Sequence, residues 1–258
     1  MSGLSVFVMT RDEEANIERC LESVGWADEI VVADTGSTDR TVELARKFTD
    51  KVYTMEWRGY AGTRALAVER TSHPWVLWLD ADEAVTPELA EEIRGVVGGA
   101  GDSEAAYAMP RKAFFLGRWI RHCGWYPDYV TRLFRRDRAR FGTSLSPHEG
   151  LVVDGRVRRL QSDLLHHTYP TLALALEKLS RYATILAEEM ERKGRTAGFP
   201  DLVVRPTFRF FQMYVLRLGF LDGVHGFVVC ALHSWYVFAK YAKLWEATRA
   251  RRRQADRR

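Results

Sequence analysis

Residues Trp75–Glu83 read WVLWLDADE, five apolar positions followed by three carboxylates within four residues. The run WVLWLD has the length and apolar content of a strand buried on both faces, as in a parallel sheet. Its end delivers Asp80 and Asp82 to the edge of a core, where a carboxylate is costly to bury without a cation or donors. Two carboxylates at i and i+2 converge on one hard divalent cation and leave positions open to water and phosphate oxygens. The alternative is that such Asp residues only form turns or cap helices. Working outward, Leu4–Met9 (LSVFVM) and Glu29–Asp34 (EIVVAD) are runs of the same kind, and Lys51–Met55 is a weaker one. Helical patterns at Glu14–Val24, Asp39–Phe48 and Tyr60–Arg70 separate them, with Asp39 where an N-cap is needed, so the chain predicts repeated βαβ units. Thr86-Pro87-Glu88 then supplies an N-cap, a proline at N1 and an acid in the first turn of a helix ending near Gly98. In an open parallel sheet a ligand binds outside the carboxyl ends of the strands, which is where Asp34, Asp80 and Asp82 fall.

Beyond the GGAGDSE loop the pattern predicts a strand at Ala106–Pro110, a basic and aromatic region from Arg111 to Arg140, and a hairpin over Leu151–Leu160 turning at Asp154-Gly155. From Thr171 it turns helical, with one helix over Ala173–Lys193 and two more within Thr207–Arg252, interrupted near Gly219–Gly226. The expected organisation is one domain over 1–168, in two halves (1–100 and 101–168), followed by a helical, amphipathic region over 169–258.

With 258 residues, 47% hydrophobic and 28% charged, the composition is that of a folded protein with a sizeable core. The net charge of +4 conceals a division: residues 1–100 carry 10 Lys+Arg against 19 Asp+Glu, net −9, and the remainder 28 against 15, net +13. The basic part suits an anionic partner. No RRM, KH or zinc-finger pattern is present, so nucleic acid is not the expected one. Three scattered cysteines fit a reducing compartment without a disulfide framework. The start lacks a signal-peptide pattern. The longest uncharged stretch, Gly223–Ala239, has 17 residues, short of the roughly 20 that a spanning helix needs. The last ten residues hold six arginines, cations that each gain about 1 kcal/mol near an anionic leaflet. The expectation is a cytoplasmic protein, peripheral on the inner face of the plasma membrane.

The stretches MTRDEEANIERCLESV, EIVVADTGSTDRTVELA and GYAGTRALAVERTSHPWVLWLDADE resemble the nucleotide-sugar-binding half of family-2 glycosyltransferases of the GT-A fold, a Rossmann-like, mostly parallel sheet flanked by helices. LDADE stands where that family has its DxD motif. With RLFRR, PHEGLVV, HHTY and GFLDGVHGF the likeness covers nearly the whole chain, and the full set is most similar to bacterial lipopolysaccharide inner-core heptose β-1,4-glucosyltransferases, which use UDP-glucose. The resemblance implies a UDP-sugar donor, a lipid-linked saccharide acceptor and a divalent metal, Mg²⁺ or Mn²⁺. It places Thr10, Arg11 and Glu13 along the nucleotide, Asp34 and Thr35 on uracil and ribose, and Arg64 on uracil or the diphosphate. Asp82 becomes the direct metal ligand, Asp80 lies on the donor sugar, the ribose or the metal through water, and His166 stands beside the diphosphate and metal. One departure is Ala65, where the family usually has Asn after the arginine.

Breaking the anomeric bond leaves a nucleoside diphosphate whose growing charge the cation and Arg64 stabilise. Inversion also needs a base on the acceptor side, and Glu149 in SPHEG is the candidate, with His148 to orient it. A solvated loop glutamate is the plainer reading. Trp119, Trp125 and Tyr126, with Asp128, form either an acceptor platform or ordinary core. Arg132, with Arg135, Arg136, Arg138 and Arg140, either binds acceptor phosphates or lies solvated. Two other functions compete. A sugar-phosphate nucleotidyltransferase usually carries a glycine-rich loop after the first strand, and MTRDEEAN has none. A degenerate membrane-binding module fits poorly with an intact DAD.

Overall fold

The computed structural model describes residues 3–99, 104–142 and 151–255. Four parallel strands open the chain: β1 (Leu4–Thr10), β2 (Glu29–Asp34), β3 (Val52–Thr54) and β4 (Trp75–Asp80). They alternate with α1 (Ile17–Glu22), α2 (Thr41–Ala45) and α3 (Gly59–Glu69), as the periodicity predicts. β5 (Glu83–Val85) and α4 (Pro87–Gly98) follow, the latter capped by Thr86, whose hydroxyl accepts from the Leu89 N–H at 3.2 Å. Then come β6 (Ala106–Phe115), β7 (Arg118–Trp119), β8 (Asp128–Arg135), β9 (Ala139–Phe141), β10 (Leu151–Val153), β11 (Val157–Arg159) and β12 (Leu164–Tyr169). The C-terminal part holds α5 (Leu172–Arg192), α6 (Phe199–Phe211) and α7 (Gly223–Ala255).

The main sheet has the order β3-β2-β1-β4-β8-β6-β12-β5, with β7 and β11 also pairing with β6. It is parallel from β3 to β4, and β8 runs antiparallel to both of its neighbours. The strands at its centre are apolar on both faces because both are covered. Leu4, Val6 and Val8 pack with Ile17 and Leu21 of α1 and Leu89 and Ile93 of α4, while Phe7 points to the opposite core with Ala61 and Ala67 of α3. This is the expected fold class, a mixed, mostly parallel sheet flanked by helices, with a helical C-terminal extension.

Two expectations need correction. Leu151–Leu160 is not a hairpin: β10 pairs with β9 in a separate two-stranded sheet, whereas β11 pairs in parallel with β6. Asp154-Gly155 carries the chain from one sheet to the other, the Asp154 N–H donating to the Arg138 carbonyl at 2.7 Å. Gly155 has φ +135°, and a Cβ there would meet the Ala105 Cβ at 2.8 Å. The helix expected to begin near Thr207 begins at Phe199, with the Asp201 carboxylate accepting from the Gly198 N–H at 3.0 Å and Pro206 tolerated inside it.

The chain forms two compact units, Met1–Lys112 with Pro127–His166, and Ala113–Tyr126 with His167–Arg258. The second unit has its own core of Phe115, Ile120, Cys123, Ala175, Met213 and Cys230.

Candidate active site

The carboxyl ends of β2, β1 and β4 lie side by side, Thr10 opposite Asp34 and Met9 opposite Asp80. Because β2 and β4 flank β1, this edge is the point where the strand order reverses, the usual seat of a ligand in an open α/β sheet. The loop after β1 is sewn to the loop after β2. Asp12, in the left-handed region at φ +52°, accepts from the Thr38 N–H at 2.7 Å while its own N–H donates to Ser37 Oγ at 2.8 Å. The Glu13 N–H donates to Thr41 Oγ1 at 2.8 Å, and the Glu14 N–H to Asp39 at 3.0 Å. Arg11 stays exposed beside Asp12, and Glu13 accepts from Asn16 Nδ2 at 2.7 Å. Asp39 also accepts from the Thr41 N–H at 2.9 Å, but the N-cap of α2 is Arg40, one residue beyond the position expected.

Thr10 Oγ1 is buried with no hydrogen-bond partner among the described residues. Asp34 is buried, and its carboxylate accepts from the Gly36 N–H at 3.0 Å and from Ser37 Oγ at 2.5 Å, the turn geometry typical of Asp at a strand end. Thr35 donates its hydroxyl back to the Thr10 carbonyl at 3.2 Å.

Beneath the DAD segment lies an ion network. Arg64, on α3, donates to Asp80 Oδ1 at 3.2 Å, and Arg132, on β8, donates to Asp80 Oδ2 at 2.7 Å. Arg132 also reaches Glu83 Oε1 at 2.5 Å, and Arg111 reaches the same oxygen at 3.3 Å. Glu83 Oε2 accepts from the Asp80 N–H at 3.1 Å, so the strand after the motif braces the motif itself. Both guanidinia lie against Trp78, at 4.0 Å from the ring centroid for Arg64 and 3.4 Å for Arg132. Burial works against ionisation of Asp80, but Arg132 and Arg64, helped by His166, hold its carboxyl well below the usual carboxylate range. Burial lowers the Arg64 guanidinium, with Asp80 opposing. Arg132 is therefore not offered to acceptor phosphates as the sequence suggested; its side chain is 3% exposed and committed to Asp80 and Glu83.

Asp82 meets His166. Its Oδ2 is 3.4 Å from Nε2 of His166, which β12 presents opposite Glu83 of β5. The two groups come from positions 84 residues apart, and antiparallel pairing of β5 with β12 brings them together. A carboxylate oxygen and an imidazole nitrogen so placed are a fitting pair of ligands for one divalent cation. No cluster of three or more His, Cys, Asp or Glu suited to a metal occurs among the described residues. The arrangement thus suits an ion that completes its shell with diphosphate and water oxygens.

Glu149 and His148 lie outside the described residues. Of the aromatic candidates, Trp125 packs with Phe115, Tyr169 and His233 in the second unit, the core alternative of the two left open above. Tyr126 meets Trp119 edge to face at 5.2 Å. Asp128, in the first unit, accepts from Arg111 at 2.6 Å and remains 45% exposed. Sequence reasoning assigned no role to Glu83, Arg111 or Trp78, and the available signal was the acid that closes LDADE and opens an otherwise apolar strand.

The sequence profile of Glycosyl transferase family 2 matches residues 5–142, more than half of the chain. A relative from Rhizobium meliloti (strain 1021), the lipopolysaccharide core biosynthesis glycosyltransferase LpsC, is 30% identical over 94% of this chain and 92% of its own. An uncharacterized glycosyltransferase of Rickettsia felis is 27% identical over 96% and 91%. Among solved structures, S. aureus TarS 1-349 in complex with UDP-GlcNAc is similar at a TM-score of 0.49 and 16% identity, over 96% of this chain and 92% of that one. On the profile match and the near full-length likeness to LpsC, the chain belongs to glycosyl transferase family 2 and is a glycosyltransferase.

Proposed function

We propose that this enzyme transfers a sugar, with glucose from UDP-glucose as the donor, onto a lipopolysaccharide-core or other lipid-linked saccharide, with inversion at the anomeric carbon. The pairing of Asp82 with His166, two residues beyond the clamped Asp80 that ends β4, carries the reading. The core-lipopolysaccharide acceptor follows the named relative and the motif resemblance. Asp82 and His166 would hold a divalent cation, which would supply positive charge against the departing diphosphate. An imidazole in the ligand set favours Mn²⁺ over Mg²⁺, which prefers an all-oxygen shell.

Thr10, Arg11, Glu13 and Thr35 line the nucleotide, Asp34 holds the loop that meets uracil and ribose, and Arg64 adds positive charge toward the diphosphate. Asp80 takes one bond from each arginine, and a carboxylate has about four lone-pair sites. It therefore keeps acceptor capacity for a donor hydroxyl while its position is fixed from below. Glu149, oriented by His148, removes the proton of the acceptor hydroxyl, and Asp128 binds the acceptor. The enzyme works at the cytoplasmic face of an anionic membrane, to which the C-terminal arginines are attracted.

UDP release from a panel of nucleotide sugars, with Mg²⁺ or Mn²⁺, tests donor and metal together; UDP-glucose with Mn²⁺ is expected to be fastest. Asp82→Asn should lower turnover by roughly 10²–10³-fold and abolish metal-dependent UDP binding in calorimetry, while the melting temperature stays close to wild type. Undiminished metal-dependent binding in Asp82→Asn overturns the site.

A further inference from the structure

We propose that the bend joining α6 to α7 is a membrane-insertion wedge that enters one leaflet, so that the enzyme is held by hydrocarbon as well as by charge. The inference rests on the reading above only in taking the acceptor to be lipid-linked. Twelve of the 21 large hydrophobic side chains exposed among the described residues lie between Phe199 and Phe227. A folded surface rarely leaves a contiguous apolar patch of that kind without a partner.

On α6 the exposed stripe is Phe199, Val203, Val204, Phe208 and Phe211, so this amphipathic helix turns apolar residues outward. At the tip, Leu216 is 61% exposed, Leu221 54% and Val224 75%, with Leu218 and Phe220 between them. The tip is built, not loose. A π-helical turn over Gln212–Leu216 gives way to Leu218 in the left-handed region at φ +53°, then to a tight turn over Gly219–Asp222 and Gly223 at φ +62°. Its inner side is locked: buried Asp222 accepts from the His122 N–H at 2.8 Å, and the Cys123 N–H donates to the Arg217 carbonyl at 3.0 Å. Gly219 and Gly226 leave no room for a side chain, a Cβ on Gly219 falling 2.8 Å from the Met213 carbonyl and one on Gly226 overlapping the Gly219 carbonyl.

The charge pattern selects the occupant. Between Asp201 and Glu246 the only acid is Asp222, which points inward, whereas Arg205, Arg209, Arg217, Lys240 and Lys243 are all cations. At the tip itself Arg217 is the exposed charge, Arg205 being paired with Asp201 at 2.6 Å and Lys240 and Lys243 standing roughly 25–30 Å along α7. An apolar tip with a cation beside it and no exposed acid fits an anionic bilayer surface. Neither helix is long and apolar enough to cross a membrane by itself; the pair reaches that composition only with a 73° bend, which suits entry and return on one side. α6, at 1.5 Å per residue, is roughly 20 Å long and lies within the interface.

The test is flotation of the full chain with phosphatidylglycerol vesicles, wild type against Phe220→Asp with Leu221→Asp, at low salt and at about 0.5 M NaCl, where exposed charges are screened. Wild type should stay bound at high salt, and the double variant should lose about tenfold or more in vesicle affinity there. Leu221→Cys labelled with an environment-sensitive dye should blue-shift on vesicle addition; Cys20, Cys123 and Cys230 are buried and stay unlabelled. Melting curves and calorimetric UDP binding check that the variants fold and that the first unit is intact. Equal binding of wild type and double variant, or release of wild type by salt with no dye shift, overturns the wedge. A lipid-free dimer that the double variant dissociates in light scattering also overturns it, assigning the face to a second copy. A protein that binds vesicles yet never binds UDP-sugars leaves the wedge standing and refutes the functional reading instead.

Discussion

The two units invert the usual distribution of polarity. In the first, Glu83 and Arg132 are almost wholly buried and meet Asp80 and Arg64, so charge is placed inside and neutralised. In the second, Phe208, Leu216, Leu221 and Val224 are at the surface, so hydrocarbon is placed outside and left open. A buried ion pair adds little stability over apolar packing, because desolvation offsets attraction, but it fixes groups in position. An exposed apolar face likewise adds little to stability in water. The difference teaches that each unit gives up stability in its own form: neutralised charge inside the first, unsatisfied apolar surface outside the second.

The first way to break this comparison is Glu83→Gln. The amide keeps the shape but leaves Arg111 and Arg132 short of one negative charge, so the loss should be about 3–5 kcal/mol, seen as a fall in melting temperature of roughly 6–20 °C. A melting curve like wild type's means that water screens the network. Next is Gly226→Ala, which overpacks the locked inner side of the bend and should cost about 1–3 kcal/mol. Its urea midpoint should fall while UDP binding by the first unit is retained; an unchanged midpoint shows that the bend is not locked. The third test is acid sensitivity. Burial opposes ionisation of Glu29, but bonds from Lys51, Ser5 and Ser72 bring it down to about 2 from 4.5. A carboxyl depressed in this way contributes stability that is complete above its unfolded value and is lost as pH falls through its folded value. Urea midpoints should therefore drop between pH 4.5 and 2, and Lys51→Met should flatten that decline. An identical slope in Lys51→Met removes Glu29 from the account.

What the sequence made legible was encoded locally. β1, β2 and β4 are continuous apolar runs, and α4 announces itself through Thr86-Pro87. Asp80 and Asp82 were legible because an apolar strand ending in acids has few physical explanations. β5, β8 and β12 were not, since their strand character depends on partners distant in sequence and their charged residues are paired in the interior. Arg132 looked like a surface cation for that reason, and Glu83 looked like the tail of a motif. Asp154-Gly155 misled because a glycine with positive φ reverses a hairpin or passes a chain between sheets equally well, and only the partners of β10 and β11 decide. The early start of α6 was hidden by its prolines.

The separation between Asp82 and His166 has a consequence during synthesis. At about 5–20 residues per second, the carboxylate leaves the ribosome roughly 4–17 seconds before the imidazole. In that interval β4 can already pair with β1, because Leu4–Asp80 contains both strands, while Glu83 waits for Arg111 and Arg132 to emerge. The nascent chain thus carries an open acidic edge, and the contact between these two groups arrives only with β12, after nearly two thirds of the polypeptide has been made.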